Sequence, residues 1–223
     1  MSESHAVAYK ALRGRVREVV EVADPAALDA IVPATPDWRA RDLLAHLVGV
    51  TDDVVNGRLD GIATNPWTQA QVDARRDRPV AGLLVEWDQT APQFEAMLAA
   101  APAEIAGQAL FDAATHEHDL RNALGAPGAR ESDAVDTGWE WLVGARTRTG
   151  AHALCFVVDG DEQPSGVGDA VARVEASRFE LFRAVSGRRT AIEVAGYRWD
   201  REPDAQILLG ADIFTLRTVS LGE

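Results

Sequence analysis

The repeat of polar and apolar positions along the chain changes once, near residue 150. Before that point apolar side chains recur at three- and four-residue spacing, the pattern of helices with one face turned to a core. Val7, Leu12, Val16, Val19 and Val20 form such a stripe and predict a helix over residues 4–22. Asp24-Pro25 opens a short helical turn, and Pro33 and Pro36 then break the chain. A second long helix is expected from just after Trp38 to Gly57, with Leu43, Leu44, Leu47, Val48, Val54 and Val55 on its apolar side. Trp38 and Leu43 are spaced as a hydrophobic staple at its start. The following connection is polar and carries a short helix from Asn65 to about Arg76.

A third long helix starts at Pro79 and runs through Leu83, Leu84, Trp87, Phe94, Met97 and Leu98, with Pro92 expected to bend or break it. Residues 99–106 read as a small-residue linker. A fourth long helix is predicted over residues 108–125, ending at Gly125, where glycine suits a left-handed cap. Residues 133–148 predict one more helix. Beyond Gly150 the period becomes that of strands. Residues 153–159 read as a buried strand, 159–161 as a turn, 170–174 and 190–194 as further strands, 177–186 as a helix, and the stretch 203–209 as the start of another. The expected class is α+β, with a helical domain over residues 1–150 and a smaller α/β domain over 151–223.

Composition narrows the function classes. With 223 residues, 47% of them apolar, the chain can bury a substantial core. A net charge of −13 argues against nucleic acid as a partner, because tracking phosphates requires basic surface. No run of about 18 apolar residues appears and the N-terminus does not read as a signal peptide, so a soluble cytoplasmic protein without a membrane partner is expected. Cys155 is the only cysteine, which excludes an internal disulfide and a zinc ribbon, and its apolar surroundings predict a buried, inert thiol. No Gly-rich phosphate loop, Ser-His-Asp arrangement or HExxH motif is present, so nucleotide-dependent and hydrolase readings find no local support.

The chemistry concentrates on the fourth helix, in Phe111-Asp112-Ala113-Ala114-Thr115-His116-Glu117-His118-Asp119. Asp112 and His116 are four residues apart and share a face, with Asp119 one turn further along it. Two potential metal ligands therefore project together, whereas His118 lies on another face. The second helix offers a third ligand in His46, a histidine within an apolar stripe. Histidine in such a place is either a core residue bonded to a backbone carbonyl or a ligand for zinc, nickel or iron. The Asp-x-x-x-His helix favours the ligand reading.

Three stretches, Trp38 to Gly49, Asp112 to Gly125 and Ser177 to Arg189, resemble in order and spacing the mycothiol-dependent maleylpyruvate isomerase family of the DinB-like superfamily. The resemblance implies an N-terminal four-helix bundle holding a divalent metal, usually zinc, and a smaller C-terminal α/β domain. It implies that His46, Asp112 and His116 are the metal ligands; the family's characterised isomerase has Glu where this chain has the shorter Asp112. It also implies mycothiol as thiol cosubstrate, and it matches Arg188 to a C-terminal arginine motif whose guanidinium would clamp a substrate carboxylate. Two imidazoles and one carboxylate leave coordination positions open, as a catalytic metal requires, and a thiol reaching such a cation loses its proton.

Asp42 and Asp119 are candidates to orient the ligating histidines, because a metal-bound imidazole usually donates its other N–H to an oxygen. His118 and Asp119 are further candidates to meet the cofactor. The expected function is a metal-dependent, mycothiol-using isomerase or S-transferase acting on a small electrophile such as maleylpyruvate. The alternative is a metal- or small-ligand-binding protein without turnover on the same scaffold, since fold does not determine activity.

Overall fold

The computed structural model of the protein describes residues 2–209 and 214–223. In chain order it comprises α1 (Ser2–Val22), α2 (Pro25–Leu28), β1 (Ile31–Val32), β2 (Thr35–Arg39), α3 (Ala40–Val55), α4 (Asn65–Arg75), α5 (Val80–Ala100), α6 (Ala103–Ala123) and α7 (Asp133–Arg148). There follow β3 (Leu154–Val158), β4 (Asp161–Ser165), β5 (Arg173–Glu175), α8 (Arg178–Val185), α9 (Ala191–Ala195), β6 (Arg198–Trp199) and α10 (Gln206–Leu209). The α+β class holds. The contacts divide the chain into two compact units, one of residues 1–106 and 116–128, the other of residues 107–115 and 129–223. Helix α6 contributes to both, and α7 clusters with the second.

In the first unit α1, α3, α5 and the C-terminal half of α6 are the long helices. Their facing stripes bury Leu12, Val16, Leu43, Leu44, Leu83, Trp87 and Phe94. One polar trio sits within this apolar set. Thr51 Oγ1 donates to the Leu47 carbonyl (3.1 Å), so it accepts from Tyr9 OH (2.8 Å), and Trp87 Nε1 is shared between Tyr9 OH and Thr51 Oγ1 at 3.1 Å each. Burial pushes the Tyr9 phenol up to about 12, against the lowering effect of its hydrogen bonds with Thr51 and Trp87.

Several local expectations are corrected. Pro92 does not break α5, which continues through it to Ala100. The supposed linker is only Ala101 and Pro102, and α6 already begins at Ala103, because alanine is the strongest helix former. Prolines 33 and 36 do not simply break the chain: they lie in a small antiparallel hairpin of β1 and β2. Arg39 takes the N-cap of α3, and Asp42 closes it by accepting from the Arg39 backbone N–H (3.0 Å) and Nε (2.9 Å). Burial opposes ionisation at Asp42, but these bonds outweigh it and hold the carboxyl below its usual range.

The second unit is built on a four-stranded sheet of order β4-β3-β5-β6. The central strand β3 pairs antiparallel with β4, from Leu154 opposite Ser165 to Val158 opposite Asp161, and parallel with β5. The β3–β4 turn is Asp159-Gly160, both at positive φ (55° and 90°), which suits a two-residue hairpin of this handedness. Residues 190–194, expected as a strand, are instead the start of α9. Thr190 Oγ1 accepts from the Glu193 backbone N–H (3.2 Å) and Glu193 Oε2 accepts from the Thr190 backbone N–H (2.7 Å), a reciprocal cap that selects helix. Buried Arg183 and Arg189 both donate to the Glu223 carboxylate, and Arg189 also forks onto Glu180. The Cys155 thiol is half-buried, and its burial raises its pKa.

Candidate metal centre

Helix α6 is buried on every side from Ala113 through Leu120. Its run of polar residues therefore has to be satisfied inside the protein. Glu117, wholly buried, accepts a forked pair from Arg15 (2.9 and 2.7 Å) and a third bond from Arg121 Nε (3.0 Å), so its charge is matched by two guanidinium groups. This is structural use of a carboxylate.

One turn of helix sets Asp112 and His116 on a common face, and α3 brings His46 to them. One ligand atom from each lies within 4.8 Å of the others. The His46 and His116 rings meet edge to face at a centroid distance of 5.0 Å. Trp38, on β2, covers both, 5.3 Å from the His46 ring and 6.3 Å from that of His116. Its indole N–H is held by Gln69 Oε1 at 3.2 Å, so α4 positions the cover.

The second nitrogen of each imidazole is committed elsewhere. His116 Nδ1 lies 3.2 Å from Asp119 Oδ2, and Asp119 is wholly buried. His46 Nδ1 lies 2.8 Å from Gln71 Oε1. With both Nδ1 atoms engaged, Nε2 is the nitrogen each ring presents as a ligand, and the donor set of two imidazoles and a carboxylate fits a divalent cation such as zinc. The sequence placed Asp119 beside His116, as found. Asp42, the candidate for the same task at His46, caps its own helix, and the residue beside His46 Nδ1 is Gln71. Nothing in the local pattern marks Gln71, although Gly49, one turn after His46, was a signal. A Cβ at Gly49 would lie 2.5 Å from Gln71 Cβ, so only glycine lets α4 approach α3 so closely.

Beside the centre opens a cleft of about 530 Å³, lined by Thr35, Asp37, Trp38, Asn65, Gln69 and His116 among others. Apart from Asp37 and the imidazole, its polar groups are neutral hydroxyls and amides. His118 is buried and is not among the lining residues. Arg188 belongs to the second unit, where its Nη1 donates to the Ser186 carbonyl at 2.7 Å. No helix among the described residues is long and apolar enough to cross a membrane.

Residues 9–112 match the sequence model of the mycothiol maleylpyruvate isomerase N-terminal domain, a range that takes in His46 and Asp112 and stops short of His116. Among solved structures the chain is similar to the mycothiol-dependent maleylpyruvate isomerase and to a histidine-to-alanine mutant of it. Each is 12% identical, with a TM-score of 0.63 over 92% of this chain and 96% of the other, a likeness of fold. No curated protein matches the chain. The likeness to that N-terminal domain model thus covers residues 9–112, and the solved structures extend the likeness of fold over 92% of the chain.

Proposed function

We propose that this protein is a metal-dependent enzyme that activates a low-molecular-weight thiol, with mycothiol as the cosubstrate, for addition to a small electrophile such as maleylpyruvate. One observation carries the reading: imidazoles from two helices and the Asp112 carboxylate converge within 4.8 Å beside a polar cleft. His46 and His116 would hold the cation through Nε2, and Asp112 through a carboxylate oxygen. A divalent cation there supplies charge that stabilises thiolate over thiol, lowering the thiol pKa from about 8.5 to below neutral pH.

The chain's own residues do the rest. Asp119 and Gln71 hold the two imidazoles in one tautomer and one orientation. Trp38 shields them from bulk water on one side. The hydroxyl and amide groups of the cleft suit a polar, uncharged moiety such as the body of a sugar-bearing thiol. In the isomerase reading sulfur adds to one end of a cis double bond, the resulting single bond rotates, and elimination returns the thiol with the trans product. In the transferase reading the adduct is released.

The test is metal analysis of the wild type beside His46→Ala and His116→Ala, followed by thiol consumption with maleylpyruvate. Stoichiometric metal in the wild type and its loss in both variants is the expected result; retention in both removes the proposed centre. A metal-loaded wild type that consumes neither thiol nor electrophile makes this a binding protein. Equal rates with mycothiol, glutathione and bacillithiol would remove the cosubstrate assignment.

A further inference from the structure

The bond from His46 to Gln71 is one step of a longer chain. Gln71 Nε2 donates to Asp53 Oδ2 at 2.7 Å, and the other oxygen of Asp53 accepts from Arg58 Nε at 2.8 Å. Gln71 is 2% exposed, and Asp53 and Arg58 line a second cleft, open to solvent. Each link restricts the next. Arg58 only donates and the Asp53 carboxylate only accepts, so the amide at Gln71 must turn its NH2 group to Asp53 and its oxygen to His46. An amide oxygen accepts, so His46 Nδ1 carries the proton and Nε2 keeps its lone pair, which is what a metal requires.

We infer that Asp53 sets the tautomer of His46 through the Gln71 amide, making both of them positioning residues for the metal centre. The inference rests on the metal reading proposed above for its consequence, but the tautomer itself does not depend on that reading. The chain also predicts its own reversal. In Asp53→Asn the Arg58 guanidinium holds the new side-chain oxygen, and the new NH2 group faces Gln71. The Gln71 amide then turns its oxygen outward and its NH2 group to His46 Nδ1, which must accept; the proton moves to Nε2. Adding Gln71→Glu to that variant restores the original direction, because a carboxylate accepts from the new NH2 group on one side and from the imidazole N–H on the other.

Two measurements test this. Long-range proton–nitrogen correlation spectra of the metal-free protein, with the ring neutral, report which nitrogen of His46 bears hydrogen. The expected result is protonated Nδ1 in the wild type, protonated Nε2 in D53N, and protonated Nδ1 again in the D53N/Q71E double variant. Competition for zinc against a chromophoric chelator should show D53N weakened by about 10- to 100-fold and the double variant recovering most of the loss. Arg58→Ala, which leaves the carboxylate in place, should stay within about threefold of the wild type on the scale of a secondary surface effect. A proton on Nε2 in the wild type overturns the inference even if no variant folds. So does a D53N protein with wild-type tautomer and zinc affinity. A wild type with protonated Nδ1 that binds no zinc upholds the tautomer assignment and overturns the metal reading instead.

Discussion

Two glycines in helix interiors make opposite predictions that sequence alone would make identical. Glycine in mid-helix costs roughly 1 kcal/mol against alanine through backbone entropy, so Gly→Ala is ordinarily stabilising. At Gly14, in α1, a Cβ would meet nothing within 4 Å, and Gly14→Ala should raise stability by about 0.5–1 kcal/mol. At Gly138, in α7, the same atom would lie 2.8 Å from Phe182 Cε2 and 3.2 Å from the Cα of Phe111. Neither neighbour yields cheaply: Phe182 is wholly buried, and Phe111 presents backbone. Overpacking of this kind costs about 1–3 kcal/mol, and with backbone as well as a buried ring in the way the cost falls at about 2–3 kcal/mol, so Gly138→Ala should lower stability by about 1–2 kcal/mol net of the propensity gain. Urea denaturation followed by circular dichroism reads both, as opposite shifts of the midpoint at unchanged slope. Because Phe111 immediately precedes Asp112, the backbone shift in Gly138→Ala should also weaken zinc binding, while Gly14→Ala leaves it alone. Equal stabilisation by the two substitutions would refute the packing argument.

Three further outcomes are expected. Both tyrosines of the protein have raised pKa values, Tyr9 by burial to about 12 and Tyr197 by burial and then the Glu180 carboxylate, so near-UV absorbance should show no phenolate as the folded protein passes pH 10. Since the folded Tyr9 holds its proton more tightly than the unfolded one, its contribution of about 3 kcal/mol is present below pH 10 and disappears as pH rises to 12; denaturation midpoints that stay flat over that range would contradict it. Glu223→Ala removes the carboxylate shared by buried Arg183 and Arg189 and should cost about 3–5 kcal/mol in the same urea assay, with a loss under about 1 kcal/mol counting against the network. Thr190→Ala removes one half of the cap on α9 and should cost about 1 kcal/mol, measured by thermal melting, whereas Ser in its place should cost little.

What the sequence disclosed was whatever is written at short range. Asp112 and His116 are one helical turn apart, so their common face follows from spacing alone, and Asp119 is read off by the same rule. His46 stands out as a lone imidazole in an apolar stripe. Two of the strands that went unseen contain proline: β4 holds Pro164 and lies at the edge of its sheet, where a missing N–H costs nothing, and β2 holds Pro36. Thr190 suggested a strand by its branched side chain, and only Glu193 three residues later reveals the cap. Gln71 is another matter. Its partner is 25 residues away, and its place depends on Gly49 leaving room, a relation no periodicity encodes.

The Tyr9, Thr51 and Trp87 trio has a consequence for the precision of the metal centre. Helices lined by leucine, valine and alanine can slide past one another by a turn and bury nearly the same area, so apolar packing alone selects among registers weakly. A slip of α1 or α5 against α3 would strand three polar groups away from water, at about 1–3 kcal/mol for each. The trio therefore acts as a vernier. Because Thr51 and His46 ride on the same helix, the register that satisfies the hydroxyl is also the one that sets the height at which the imidazole meets α6.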